Sequence, residues 1–493
     1  MDATAGLVLF LIFCLSYLIV TYGKMMKGRN LLPPGPTPLP FIGNLLQVRV
    51  YDIANSLMKL HRQYGSLYSL YLGPQRYVVL CGYKTMKEAL IDRAEEFSGR
   101  AHFPLFYNYT KGNGIAFSQG RKWKELRRFT ISGLAQFGMG KRSIEERIQE
   151  EVQYLVQRFK DMGGSPFNPE FLISKSVCNI ISSILFGNRF DYDDEDLVAM
   201  TDSVKNIFAT ASSTCGMLYH VFPGIMDHLP GRHQQMFKSF QALERFILKR
   251  AKMNQKTLDP ANPRDLLDIF LIKIEQEKDN PSSFFNWKSL AMSSITLTFA
   301  GTESVSTTLR FCFLYLMKNP DVQEKVHEEI DRVIGDRQNP SYHHRSQMPY
   351  TQAVIHELQR IADISPMSLP HSLTRDTELG GYKFQKGTVF IPLLNSVHFD
   401  PTQYEHPEIF DPKHFLDENG CFHLNPAFLP FSAGKRVCLG ANLATMEVFL
   451  YFTTILKNFK LEPLVKPEEV DVRPIGVFLA NLPRPFMFSL IPR

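Results

Sequence analysis

The chain has 493 residues, of which 44% are hydrophobic and 21% are charged, and its formal net charge is +6. This composition supports a large buried core and excludes an intrinsically disordered chain. The seven cysteines are scattered and odd in number, which excludes a secreted disulfide framework and favours a reducing compartment. The net charge is too small to indicate a nucleic-acid partner.

An uncharged apolar stretch occupies residues 3–22. Its length is about that of a helix spanning the core of a bilayer. Three cations follow it before residue 30, whereas Asp2 precedes it. A cleaved signal peptide has the opposite charge order and a shorter apolar region. The sequence therefore predicts a membrane anchor with a basic stop at residues 1–29, and the rest of the chain on the cytosolic side.

A proline-rich segment, PPGPTPLP, follows within residues 30–40. Proline fixes φ and restricts the residue before it, so this segment is predicted to be a stiff, extended hinge. No break in composition occurs later in the chain. We therefore expect one large domain over residues 41–493.

The pattern of this domain is mainly helical with small β-sheets. Two short strands joined by a Gly-Pro turn are predicted at residues 67–82, and further strands at residues 381–392. Helical periodicity covers residues 143–162, 172–186, 232–258 and 442–458.

The longest apolar run, residues 290–317, contains Glu303 and Arg310. Charges at the centre of a bilayer are costly and rare. The run is therefore predicted to be a long buried helix and not a second membrane span. We expect it to begin near Asn286 and to end at Asn319, which precedes a proline.

The ten residues FSAGKRVCLG near the C-terminus contain one cysteine, Cys438. Gly434 and Gly440 permit turns and close approach, and Lys435 and Arg436 favour a thiolate. The N-terminus of the following helix lowers the thiol pKa further. An ordinary buried thiol is the plain alternative. A nucleophile needs a base and a zinc site needs more ligands, whereas a single thiolate suffices for a haem iron.

The spacing F-x-x-G-x-R-x-C-x-G in this segment resembles the haem-binding signature of the cytochrome P450 monooxygenases at every fixed position. The resemblance covers essentially the whole chain: WKELR, AGTES, HELQR and FDPKHF follow in the family's order. The segments FSGR, LPGRH and MPYTQAVIHE are most similar to the vertebrate microsomal family 2. The resemblance implies the cytochrome P450 fold, a single large haem-binding domain behind an N-terminal transmembrane helix.

The resemblance also implies a haem b cofactor with Cys438 as its axial thiolate ligand. The other haem-binding residues that it implies are Arg100, Trp123, Arg127, His371, Phe431, Arg436 and Gly440. A buried network that braces the cysteine segment is implied for Glu357, Arg360 and His414.

Glu303 and Ser304 are expected to form an acid–alcohol pair that relays protons during oxygen activation. Ala300 and Gly301 would keep the long helix slim where dioxygen and substrate bind. The family usually has Thr at the position of Ser304. Serine lacks the methyl group that restricts χ1, so we predict a leakier enzyme that releases more peroxide.

The electrons are expected to come from NADPH through cytochrome P450 reductase, with cytochrome b5 as a second candidate partner. A basic docking face is predicted on the cysteine side, although the same cations fit an ordinary solvated helix face. These cations are Arg121, Lys122, Lys124, Arg128 and Lys435.

The substrate is expected to be a lipophilic small molecule that enters from the bilayer past residues 221–231. The candidate pocket residues are Phe103, Leu105, Phe106, Phe117, Thr296, Phe299, Ala300, Ser365, Leu369, Val477 and Phe478. The resemblance implies a monooxygenase of the endoplasmic reticulum membrane that hydroxylates or epoxidises fatty acids, steroids or xenobiotics with O2. Two alternatives remain open: a reductase-independent isomerase or dehydratase on the same fold, and a non-catalytic haem-binding protein.

Overall fold

The computed structural model describes residues 31–136, 142–475 and 478–493, together with positions 8, 12, 13, 16, 20 and 23. The predicted anchor at residues 3–22 and the pocket candidate Val477 therefore lie mostly or wholly outside the described residues. Within the described part, no helix is both long enough and apolar enough to cross a membrane.

The protein is mainly helical, as predicted, and small sheets lie beside the helices. The predicted helical segments are confirmed with shifts of one or two residues at their ends. In chain order the longer helices are α1 (Ile53–Tyr64), α2 (Pro104–Thr110), α3 (Gly120–Gln136), α4 (Arg142–Asp161), α5 (Glu170–Phe186), α6 (Glu195–Ala211), α7 (Thr214–Val221), α8 (Arg232–Lys256), α9 (Leu266–Gln276), α10 (Trp287–Lys318), α11 (Pro320–Val333), α12 (Pro349–Ala362) and α13 (Ala441–Asn458).

The strands of the described residues are short. They are β1 (Leu67–Leu72), β2 (Gln75–Leu80), β3 (Gly99–Arg100), β4 (His371–Ser372), β5 (Thr377–Leu379), β6 (Tyr382–Phe384), β7 (Val389–Pro392), β8 (Phe459–Pro463), β9 (Pro474–Ile475), β10 (Leu482–Pro483) and β11 (Phe488–Pro492). The largest sheet has the strand order β1-β2-β7-β4-β3, and three two-stranded sheets pair β5 with β6, β8 with β11 and β9 with β10. The predicted hairpin at residues 67–82 is confirmed, with Leu67 opposite Leu80.

The proline-rich segment packs against the body of the domain. The backbone N–H of Ser69 in β1 donates to the carbonyl of Pro34 over 2.8 Å. A Cβ on Gly35 would lie 1.9 Å from the Ser69 carbonyl oxygen, so only glycine allows this approach. The hinge is therefore extended and is also joined to the first strand.

The long helix α10 begins and ends where the sequence predicted. The side chain of Asn286 caps it by accepting a hydrogen bond from Ser289 N, and it stops before Pro320. It packs against α5, α8 and α13. A Cβ on Gly301 would lie 2.4 Å from Cδ1 of Ile181 in α5. The role predicted for Gly301, to leave room for dioxygen, is therefore wrong, because its missing side chain lets two helices pack closely.

Candidate functional site

The segment 431–440, here called the cysteine loop, is held by its own backbone. The N–H of Cys438 donates to the carbonyl of Phe431 over 3.0 Å. Gly434 has φ +71°, and a Cβ on it would lie 1.7 Å from the carbonyl oxygen of Leu90. Glycine is required at this position because no side chain fits there. The loop leads directly into α13, which begins at Ala441.

Burial raises the pKa of the Cys438 thiol, while the backbone N–H of Gly440 and the charge of Arg127 lower it by less. The prediction that Lys435 and Arg436 lower the pKa of this thiol is therefore wrong, because burial has the larger effect. The thiol nevertheless remains accessible to solvent. A thiolate here needs a stronger positive partner, and a metal ion is such a partner.

Three arginines converge beside the loop and form what we call the arginine cluster: Arg100, Arg127 and Arg436. Arg436 donates to the carbonyls of Ser98 (2.8 Å) and Ser118 (2.9 Å). Its guanidinium lies 3.8 Å from the centre of the Trp123 ring, so it stacks on that indole. The predicted one-face spacing of Trp123 and Arg127 on α3 thus places both beside the loop.

The other two arginines of the cluster also bind backbone carbonyls. Arg127 donates to Val437 over 2.7 Å, and Arg100 donates to Leu369 over 2.7 Å. Burial lowers the pKa of Arg436 to about 8 and that of Arg100 to about 10, and neighbouring members of the cluster add to both shifts. None of these three guanidinium groups forms a salt bridge with a carboxylate of the described residues. The cluster therefore concentrates positive charge that calls for an anion.

His371 lies in the same place because β3 and β4 pair Arg100 directly opposite it. Its Nδ1 donates to the carbonyl of Phe97 over 2.7 Å, and its buried Nε2 has no partner in the described part of the chain. Burial, and then the charge of Arg100, lower the pKa of His371 to about 3. A carboxylate beside Nε2 would favour the protonated ring and give this atom a partner.

These residues fit a haem by three observations on the chain itself. The accessible Cys438 offers one thiolate ligand, and no cluster of three or more metal-binding side chains occurs in the described residues. The arginine cluster and the unpartnered Nε2 of His371 suit two carboxylates. A Cβ on Gly440 would meet no protein atom within 4 Å, so glycine there suits a group that approaches from outside the chain.

Glu357, Arg360 and His414 meet in a network that is called the bracing network below. Glu357 and Arg360 lie on α12, are 0% exposed and form a two-pronged ion pair at 2.6 and 2.7 Å. Nδ1 of His414 lies 3.1 Å from Oε1 of Glu357, although the hydrogen-bond geometry is poor. Arg360 also donates to the carbonyls of His398 and Pro407, which ties α12 to the segment that leads to the cysteine loop.

The structure does not bring Glu303 and Ser304 together. Adjacent residues of a helix point roughly 100° apart, and here they have different surroundings. The hydroxyl of Ser304 donates to the carbonyl of Ala300 over 2.6 Å, and Ala300 is exposed in a helix that is otherwise largely buried. Ala300 and Ser304 thus form the accessible face of α10.

Glu303 points away from that face, towards α5. Its Oε1 lies 3.7 Å from Nη1 of Arg310, which lies 3.6 Å from a second carboxylate, Glu170. Lys205 pairs with Glu170 at 2.9 Å. Burial raises the pKa of Glu303 to about 7, against the opposing charge of Arg310. Glu303 is therefore poised to take up or release a proton near neutral pH.

Five of the predicted pocket residues join in one aromatic cluster: Phe103, Phe106, Phe117, Phe299 and Phe478. Phe106 lies 4.8 Å from Phe117 and 5.7 Å from Phe299, measured between ring centres. Phe103 stacks on Phe478 at 5.5 Å and lies 5.5 Å from Phe106. The cluster therefore extends from α10 to the C-terminal segment.

The remaining pocket candidates divide by accessibility. Leu105 is fully buried and belongs to the core. The other described ones, which keep some accessible surface, are Thr296, Ala300, Ser365 and Leu369.

Sequence reasoning missed three residues that extend this cluster. Phe208 lies 5.2 Å from Phe299, Phe240 lies 6.0 Å from Phe106, and His220 lies 4.4 Å from Phe103. They belong to α6, α8 and α7. With 39 phenylalanines in the chain, no local pattern marks the two that face this cluster.

Four of the five predicted docking cations lie near one another, because Arg121, Lys124 and Arg128 line one recess and Lys435 shares Glu95 with Lys124, whereas Lys122 donates to Asn113. Glu95 binds Lys124 at 3.0 Å and Lys435 at 3.3 Å, and Arg121 binds Glu125 at 2.6 Å. A recess of about 770 Å³ lies among them, and its lining includes Ser98, Thr374, Arg375 and Arg128. The face is therefore less positive than the sequence predicted.

Known proteins are similar to this chain over most of its length. The family model for Cytochrome P450 matches residues 33–489. Mouse Cytochrome P450 2F2 is 52% identical over 463 residues, which cover 94% of each chain. Human Cytochrome P450 2F1 is 51% identical and human Cytochrome P450 2A13 is 48% identical, each over the full length of both chains. The chain belongs to the cytochrome P450 family, the haem-thiolate monooxygenases, and the resemblance to its vertebrate family 2 is confirmed.

Proposed function

We propose that this protein is a membrane-bound monooxygenase that inserts one oxygen atom from O2 into a lipophilic substrate. The reaction is a hydroxylation or an epoxidation, and NADPH supplies the electrons through cytochrome P450 reductase. The observation that carries this proposal is the convergence of an accessible thiol at Cys438 with the three guanidinium groups of the arginine cluster, of which those of Arg100 and Arg436 are buried. The family membership supports the reaction class.

Cys438 would supply the thiolate that binds the iron of haem b, and the arginine cluster with His371 would hold the two propionates. Trp123 keeps the Arg436 guanidinium in place by stacking. The bracing network holds the segment before the cysteine loop, so that the sulfur keeps its position. When bound, the haem supplies the activation of dioxygen, and the thiolate donates electron density that favours cleavage of the O–O bond.

Ser304 and Glu303 have different roles in proton transfer. The Ser304 hydroxyl lies on the accessible face of α10, and turning it away from the Ala300 carbonyl frees it to donate. Glu303 stores a proton behind that face, since burial raises its pKa to about 7. A water molecule or a change of rotamer must connect the two groups, because they make no direct contact in the structure.

The bilayer and the redox partner are assigned to different surfaces. Within residues 221–231, Ile225 is 62% exposed and Leu229 is 47% exposed, which suits contact with lipid. The cations around the 770 Å³ recess suit an acidic flavoprotein or cytochrome b5. We place the protein in the endoplasmic reticulum membrane with its catalytic domain on the cytosolic face, held by the predicted anchor.

A reconstitution experiment tests the proposal. Purified protein, reductase and NADPH are incubated with a mixture of fatty acids, steroids and xenobiotics, and oxygenated products are identified by mass spectrometry. We expect products only when NADPH is present, and none with the variant Cys438→Ala. Conversion without NADPH would favour the isomerase or dehydratase. A thiolate-type spectrum with carbon monoxide but no turnover on any substrate would favour a non-catalytic haem protein.

A further inference from the structure

His220 is a buried histidine whose two ring nitrogens differ in their hydrogen bonding. It lies in α7 and is 6% exposed, and its Nε2 is 2.8 Å from the hydroxyl of Tyr77 in β2. Its Nδ1 is buried and has no hydrogen-bond partner among the described residues. An unsatisfied buried polar atom costs free energy, so this nitrogen calls for a partner from outside the chain.

The neighbours of His220 decide which nitrogen carries the proton. Burial lowers the pKa of His220 to about 3, so the ring is neutral. Burial also raises the pKa of Tyr77, whose hydroxyl keeps its proton. Within the described residues this hydroxyl makes one hydrogen bond, to His220, so it donates its proton to Nε2. The imidazole proton then lies on Nδ1, and the missing partner is a hydrogen-bond acceptor.

The rings around His220 belong to the aromatic cluster. Phe103 lies 4.4 Å and Phe478 5.1 Å from the imidazole, between ring centres. Contacts then continue from Phe103 through Phe106 to Phe299, which precedes Ala300 on α10. His220 therefore lies at the end of the cluster that is remote from the accessible face of α10.

We infer that His220 is a specificity-determining residue, whose Nδ1–H binds an acceptor oxygen at one end of an elongated lipophilic substrate. The other end of that substrate reaches the accessible face at Ala300 and Ser304. The inference rests on the proposed function, because it takes the aromatic cluster as the wall of the substrate site.

The charge around His220 narrows the substrate class. Apart from burial, the group that acts on its pKa is His102. An ionised carboxylate at Nδ1 would thus be buried without a cation, which is costly. The site accordingly favours a neutral ketone, ester or ether over an ionised fatty acid.

A matched pair of ligands tests this inference on the haem-containing protein. In 2-nonanone and 2-methyl-1-nonene the carbonyl oxygen of one replaces the methylene group of the other, so their shapes agree. Their dissociation constants are measured from the change in haem absorption and by calorimetry. In His220→Phe, which keeps an aromatic ring, we expect the preference for the ketone to fall about five- to tenfold, the loss of one hydrogen bond.

Two further variants guard against a folding defect. Tyr77→Phe/His220→Phe removes the hydroxyl that the single substitution leaves unpaired, and it should show the same loss of preference. His220→Asn places an amide donor near the position of Nδ1 and should retain part of it. Each variant is first checked for the thiolate-type spectrum with carbon monoxide. An unchanged ratio in His220→Phe and in the double variant would overturn the inference.

The design separates this inference from the proposed function. If neither ligand binds the wild-type protein, the aromatic cluster is not a lipophilic substrate site, and both proposals fail. If both ligands bind but the ratio of their dissociation constants is the same in the wild type and in His220→Phe, only the inference fails. With reductase and NADPH, wild-type oxidation of 2-nonanone should fall on the carbons remote from the carbonyl, and His220→Phe should spread it along the chain.

Discussion

The two sides of the site differ in what they are made of. On the cysteine side, guanidinium groups bind backbone carbonyls and stack on Trp123, and the loop geometry depends on Gly434. On the side of α10, the aromatic cluster reaches Phe299, five residues before the accessible hydroxyl of Ser304. The first side suits an anionic group held at fixed distances, because directional hydrogen bonds dominate it. The second side suits apolar molecules, because contacts between rings restrict the position of a ligand less than hydrogen bonds do.

The largest effect is expected from the bracing network on the cysteine side. Arg360→Leu leaves the carboxylate of Glu357 buried without its ion pair, which costs about 3–5 kcal/mol of the free energy of unfolding. Urea titration followed by haem absorption measures this loss. Lys87→Leu is the control, since it removes an exposed ion pair with Asp92, and exposed pairs contribute little to the free energy of unfolding. Equal effects of the two substitutions would contradict the bracing role.

The arginine cluster gives the next largest effect. Arg436→Ala should speed haem loss about ten- to hundredfold, because a hydrogen bond to a charged group is worth about 1.5–3 kcal/mol. The haem-free protein should lose less free energy of unfolding than the haem-bound protein, because the substitution removes one of three mutually repelling charges. Haem transfer to an acceptor globin measures the rate, and Lys124→Ala on the same side is the control. Unchanged haem retention in Arg436→Ala would refute the propionate assignment.

Ser304 tests the opposite side, where fewer polar groups carry the chemistry. Ser304→Ala removes the accessible hydroxyl, so the ratio of hydrogen peroxide to product should rise several-fold. Ser304→Thr adds the methyl group that restricts χ1, and the ratio should fall below that of the wild type. Peroxide and product are measured in one reaction. If Ser304→Ala is as well coupled as the wild type, the proposed role is wrong.

Glu303 adds a smaller, pH-dependent effect on the same side. Its pKa of about 7 means that it is mostly protonated below neutral pH and ionised above it. As a proton store it empties as pH rises, so the peroxide fraction of the wild type should increase a few-fold between about pH 6 and 8. Glu303→Gln should flatten this profile. A variant that keeps the wild-type slope would show that another group titrates.

The smallest effect is expected at the predicted docking face. Glu95→Gln frees Lys124 and Lys435 from their ion pairs, so half-maximal turnover should need about two- to fivefold less reductase at low salt. Charge reversal at Lys122 and Arg128 should act in the opposite direction. Both effects should fade at high salt. If none of these substitutions changes reductase-supported turnover, the reductase docks elsewhere.

The helices and the cysteine loop were predictable because their signals are local. The apolar period and the caps define α10, and the spacing of the loop motif lies within ten residues. The separation of Glu303 from Ser304 was within reach too, since adjacent helical residues cannot face the same way. The ion pairs of Glu95 were not, because Lys435 is remote from it in the chain.

The sequence by itself determined the family, the mainly helical fold and the cysteine of the loop motif with its two adjacent cations. These features rest on spacing along the chain, which survives without coordinates. Only the tertiary structure decided that Gly301 packs against Ile181 and that burial raises the pKa of Cys438. It also decided that, within the described part of the chain, no hydrogen-bond partner reaches Nδ1 of His220 beside the aromatic cluster. Burial and partnership depend on residues far apart in sequence, so no local pattern encodes them.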